Sequence, residues 1–278
     1  MLARMRPVGR MPDDGMVIAK VRAVLVLGLL AYGVGLATLI AIASGGSPAA
    51  STAATEAVHA VVLLPPAIVL GVLVAWRRPG SPVGPALVAL VAAPCLTWAV
   101  EEWGASYGTP DSWPGVAAAF VSGGAWVFNL AGFVLLCLVF PDGRPGGRFW
   151  AALPWMYLAV AGAVVAVIGL DPVAYRDRGG PLPGSTPVAL GDVGFRVLDA
   201  VVGLALLAVL GAAAGSLVLR YRRGNDLVRV QLRWLMLGAG SVPVLLGAGW
   251  VAQFAGAPID VAYTGFIVAM VLVVPATV

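Results

Sequence analysis

The feature that most constrains this chain is a series of apolar runs of about 20 residues that recurs along nearly its whole length. A helix of that size rises about 30 Å, the thickness of a bilayer's hydrocarbon core, and pairs its own backbone groups as it goes. Eight such runs fall at 23–43, 57–76, 85–100, 117–139, 151–170, 198–219, 234–253 and 261–278. Composition agrees, because 60% of the 278 residues are hydrophobic and 11% charged, with a mean hydropathy of +0.96. A soluble domain carries about 25% charge, so a soluble enzyme and a disulfide-built secreted module are both excluded. The expected fold is all-α, a polytopic membrane protein with a basic tail over 1–22 and a helical domain over 23–278.

The basic residues give the expected orientation. Alternate connections hold Arg4, Arg6, Arg10, Lys20 and Arg22, then Arg77 and Arg78, then Arg144 and Arg148, then Arg220, Arg222, Arg223, Arg229 and Arg233. Only Arg176, Arg178 and Arg196 fall on the other side, and basic residues resist translocation, so the first set is expected in the cytoplasm. Eight crossings then place both termini on the inner side of the cell's cytoplasmic membrane. Glu56, Glu101, Glu102, Asp111, Asp171, Asp177, Asp192, Asp199 and Asp260 lie on the opposite, outer side.

Two runs need separate treatment. The first ends in Ala41-Ile42-Ala43, as a signal-peptidase site does, but it exceeds the roughly 7–15 apolar residues of a signal peptide, so an uncleaved anchor is expected. Met11 and Met16 are alternative starts that leave the topology unchanged. The eighth run reaches Pro275-Ala276-Thr277-Val278 with no basic or aromatic anchor after it, so further chain on the cytoplasmic side is expected. The two cysteines, Cys95 and Cys137, differ in expected depth by roughly 12 Å. That exceeds the ~7 Å reach of a disulfide, so both are expected as free thiols.

No catalytic centre is legible. His59 is the sole histidine, so neither a His/Cys metal site nor a histidine-based triad can be assembled, and no phosphate-binding glycine loop is present. No cofactor or metal is expected. The candidate sensing residues are His59 near the outer end of the second run, Glu101 and Glu102 at the outer end of the third, and Asp199 opening the sixth. Gathered around one cavity they would form an acidic site with an imidazole, suited to a cation, a basic ligand or pH sensing; apart, they are ordinary interfacial charges. Asn129 is expected to hydrogen-bond a neighbouring helix near mid-membrane. Trp98, Trp103, Tyr107 and Trp113 are expected as an aromatic belt in the headgroup zone. Pro65-Pro66, Pro94 and Pro243 each remove a backbone donor inside a run and mark kinks.

The basic anchor comprises Arg77, Arg78, Arg144, Arg148, Arg220, Arg222, Arg223, Arg229 and Arg233. Read as one helix, Arg220–Trp234 puts Arg222, Asp226, Arg229 and Arg233 on one face and Leu227, Val230 and Trp234 on another. Such a helix lies at the inner interface against anionic lipid headgroups, which leaves no role for nucleic acid.

Three of these segments carry a resemblance. Arg77-Arg78-Pro79-Gly80-Ser81-Pro82-Val83-Gly84 opens the third run, and Phe140-Pro141-Asp142-Gly143-Arg144 closes the fourth. Leu219-Arg220-Tyr221-Arg222-Arg223 leads to Gln231-Leu232-Arg233-Trp234-Leu235 before the seventh. In this order the segments resemble the N-terminal multi-helix membrane region of actinobacterial-type two-component sensor histidine kinases, from about residue 60 onward. The resemblance implies a membrane-embedded sensing and coupling module without catalytic domains of its own, and a homodimer where a kinase module follows. It supplies no phosphoacceptor histidine, nucleotide site or ligand residue. A small-solute transporter and a stand-alone non-enzymatic membrane protein are the alternatives; no internal repeat supports the first.

Overall fold

The structure, a computed structural model, describes residues 14–107, 117, 120–141, 143, 147–170 and 191–255. The expected run at 261–278, Arg144 and Trp113 lie outside the described residues. Among the described residues all regular structure is helical, as the apolar runs require.

The first run becomes α1 (Asp14–Ser44), uninterrupted because it contains no proline and no charge beyond Arg22. It stops where Gly46 takes a left-handed conformation at φ 65°, the usual glycine stop to a helix. The second run divides into α2 (Ala50–Leu63) and α3 (Pro65–Arg77), inclined by 41°. Pro65 and Pro66 occupy the first turn of α3, where a missing N–H costs little, and the expected bend falls there as a break between two helices. Then come α4 (Val83–Tyr107), a 3-10 segment (Ala125–Leu130), α5 (Ala131–Val139), α6 (Arg148–Leu170), α7 (Gly191–Arg223) and α8 (Asp226–Phe254).

Five of these helices, α1, α4, α6, α7 and α8, are long and apolar enough to cross a membrane, and the α2–α3 pair makes a sixth if it is one bent span. The fourth run departs from expectation. A single helix over 117–139 is replaced by a turn at Gly123-Gly124, the 3-10 segment and the short α5. The expected helix Arg220–Trp234 is also broken. Chain direction reverses at Gly224-Asn225, and the Asn225 side-chain oxygen accepts from the Val228 N–H at 3.0 Å, capping α8. Proline inside α4, α6 and α8 (Pro94, Pro154 and Pro243) leaves each helix continuous.

At the centre stands α4. Of its membrane-length window 78% is buried, against 17% for α1. α1, α3, the 3-10 segment and α5 all pack on it, while α7 joins α5, α6 and α8. Val83, Ala86, Leu87 and Leu90 of α4 belong to the large core shared with α5–α8, whereas Cys95, Trp98 and Ala99 join a smaller one with Leu39, Ile42, Ala53 and Ala60. Small residues allow this crowding, since apolar side chains gain nothing by leaving lipid and helices associate through close backbone contact. A Cβ at Gly35 would stand 2.8 Å from the Cys95 carbonyl oxygen, one at Gly71 2.8 Å from that of Gly84, and one at Gly132 would overlap the backbone of Leu90.

Gly132→Ala therefore forces α5 off α4, where the obstructing atoms are main chain and cannot yield. A loss of about 1–3 kcal/mol is expected. Gly33→Ala on α1 meets nothing within 4 Å and serves as the control. Thermal unfolding of the detergent-solubilised protein should show a lowered Tm for the first and no loss for the second; equal Tm values would contradict the close contact.

Candidate functional site

Polar side chains collect at two places along α4. The first begins about 22 Å from its N-terminus, 15 residues beyond Val83 at 1.5 Å each, where α2 crosses it. His59 Nδ1 lies 3.2 Å from a Glu56 carboxylate oxygen one turn away on α2. The His59 ring rests 6.3 Å from the Trp98 ring at a tilt of 58°. Glu56 is near enough to Glu102 for the two carboxylates to repel. A little further on, the Ser106 hydroxyl donates to that of Ser47 at 3.1 Å, tying the end of α4 to the α1–α2 turn. Two candidate sensing residues, His59 and Glu102, thus share one cluster, with Glu56 as the member that links them. Glu101 is half-buried on the same turn of α4. Asp199 is exposed and sits on α7, which packs on α5, α6 and α8 rather than on α2.

Trp98 corrects the aromatic-belt expectation. It is 3% exposed and belongs to the core, and its indole N–H has no acceptor among the described residues. Trp103 and Tyr107 are exposed, as a belt requires. Asn129 is buried in the 3-10 segment as its depth suggested, but its amide oxygen finds no donor among the described residues, so the expected helix-to-helix bond from that atom is missing. Its neighbour Trp126 meets Trp250 of α8 edge-on at 6.2 Å. The Tyr157 hydroxyl of α6 donates to the Val127 carbonyl, anchoring the 3-10 segment from the other side.

The second place is the end of the molecule that carries the arginines. Arg77, Arg78, Arg148, Arg222, Arg223, Arg229 and Arg233 are exposed there. Arg229 pairs with Asp226 at 3.4 Å, an exposed contact of small energetic weight. Arg220 is different. Its guanidinium is half-buried and donates to the carbonyls of Phe140, at 2.6 Å, and Leu138. One turn earlier, the buried Ser216 hydroxyl shares its proton between the Cys137 carbonyl at 3.1 Å and Ala213 of its own helix at 2.7 Å.

These donors answer a deficit written into α5. A helix leaves its last carbonyls without intrahelical partners, and Pro141, four residues after Cys137, has no N–H to give. Phe140 N–H bonds the Leu136 carbonyl at 3.0 Å and Gly143 N–H bonds that of Val139 at 2.6 Å. Ser216 and Arg220 serve the three others. Gly143, at φ 74°, turns the chain against Pro82, which a Cβ there would approach to 3.0 Å. Pro82 in turn accepts from the Ala86 N–H at 3.0 Å in the first turn of α4. The segments around Pro82, Phe140 and Arg220 therefore converge, through Arg220 on one side and Gly143 on the other.

Comparison with protein-family models, curated proteins and solved structures returned no match. Among the described residues, no three His, Cys, Asp or Glu side chains gather as a metal site requires. Cys95 and Cys137 are both buried free thiols, as their separation in depth predicted. Cys95 donates to the Tyr32 carbonyl at 3.5 Å. Neither should react with a maleimide while the protein is folded, and both should react once it is unfolded in denaturing detergent; rapid labelling of native protein would contradict this packing.

Proposed function

We propose that this chain is a multi-pass protein of the cytoplasmic membrane that senses a condition at its outer side and relays it inward, without a catalytic step of its own. Its arginine-bearing turns face the cytoplasm and anionic headgroups, and its eight apolar runs carry the chain back and forth with both termini inside. The observation that carries this reading is the meeting of the kinase-like segments, around Pro82, Phe140 and Arg220, at one end of α4, with the His59–Glu56–Glu102–Trp98 cluster toward the other. A single buried helix that touches both ends is a physical connection between stimulus and output. Only a stimulus that contacts two arrangements of these helices unequally can bias them. In this reading the cluster makes those unequal contacts, and pairing of two copies would bring their outputs together.

The alternative of a small-solute transporter draws on one observation, the 3-10 break bearing an Asn129 oxygen with no donor among the described residues, since transporters place broken helices and polar groups at mid-membrane. Proteoliposome flux measurements test that reading directly.

The sensing reading is tested by joining residues 1–278 to a cytoplasmic reporter kinase. Glu56→Gln, His59→Gln and Glu102→Gln should each shift its output by several-fold, whereas Asp226→Asn, exposed at the arginine-bearing end, should not. Output unmoved by all three cluster variants would overturn the assignment of the cluster.

A further inference from the structure

The Ser216–Arg220 pair has a geometry that an anchor does not need. The two residues are four apart, so they stand one above the other on a single face of α7. They meet carbonyls of Cys137, Leu138 and Phe140, 79 to 82 residues away in the chain, at the end of α5 that Pro141 deprives of a donor. The fit has only one register. Advancing α7 by one turn, about 5.4 Å, brings Ala212 to the place of Ser216 and Ser216 to that of Arg220. Moving it the other way brings Arg220 to the place of Ser216 and Gly224, just past the end of α7, to the place of Arg220, so Leu138 and Phe140 lose their donor. Either slide takes the donor from a carbonyl of a buried residue, Cys137 or Leu138, where an unsatisfied oxygen is costly.

We infer that Ser216 and Arg220 form a clamp that makes α7 and α5 move as one body, and that the Gly143–Pro82 contact passes this movement to the start of α4. This inference rests on the relay reading above and names its coupling element. Axial movement of α7 drags the α5 terminus with Phe140 and Pro141, the chain beyond carries Gly143, and Gly143 bears on Pro82, whose carbonyl holds the first turn of α4. Arg220 is thus a positioning residue. Its charge matters because a guanidinium fork reaches two carbonyls at once, which the single ammonium of lysine does not reproduce.

Hydrogen–deuterium exchange of the full chain in lipid nanodiscs tests the clamp without a stimulus or reporter, so its failure is separate from failure of the sensing assignment. Arg220→Gln should accelerate exchange by about tenfold or more at residues 136–143 and, through the contact, at Ala86 and the turn before it. Ser216→Ala should do so more weakly at the α5 terminus. Leu206→Ala, a cavity in α7 away from the clamp, controls for general destabilisation and should not reproduce the pattern at Ala86. If Arg220→Gln fails to accumulate, Arg220→Lys carries the same test, with a smaller acceleration at the same sites. Unchanged exchange at the start of α4, or a pattern identical to that of Leu206→Ala, overturns the inference.

Discussion

In an apolar surrounding a backbone carbonyl must find a donor, and this demand organises the arginine-bearing end of the molecule. α5 is only nine residues long and closes on Phe140-Pro141; the N–H groups of Phe140 and Gly143 serve Leu136 and Val139, while the carbonyls of Cys137, Leu138 and Phe140 take donors from a distant helix. α7 supplies donors here, a hydroxyl and a guanidinium one turn apart. Because those donors come from a distant part of the chain, local accounting becomes a tertiary constraint. α7 is held in one register on α5, and Gly143 is held against the entry to α4.

α4 turns that constraint into an architecture. Glycine and alanine let α1, α3 and α5 approach its backbone, so the helix is enclosed by its neighbours while α1 is largely exposed along its length. Close main-chain contacts are stiff, since no side chain can swing aside to absorb a displacement. The polar cluster around His59 and the turn at Pro82 therefore lie on one packed element, about 22 Å apart along its axis.

Much of this was legible in the residues. Apolar runs of bilayer length located the membrane-length helices, because in lipid the only cheap way to satisfy a backbone is to close it on itself. Their separation along the chain correctly kept Cys95 and Cys137 apart. What was missed depended on local breaks and on partners far apart in sequence. The run over 117–139 read as one helix, yet Gly123-Gly124 turns the chain before the 3-10 segment. Gly224-Asn225 carried a glycine stop and an asparagine cap, a reversal signal outweighed by the spacing of the arginines around it. Glu56 lies three residues before His59, a spacing that marks a helix-face pair, but it was counted among the outer charges. Arg220 read as one anchor among several; Pro141, four residues beyond Cys137, was the hint that a carbonyl there would need a donor from elsewhere.

The account depends most on which face of the bilayer the arginine-bearing turns occupy. Single cysteines at Gly80, in the exposed turn before α4, and at Ser51, in the exposed first turn of α2, report it by labelling intact cells with a membrane-impermeant maleimide. Ser51→Cys should label from outside, and Gly80→Cys only after the membrane is opened. Labelling of Gly80→Cys in intact cells, or of both positions from the same side, would contradict the account.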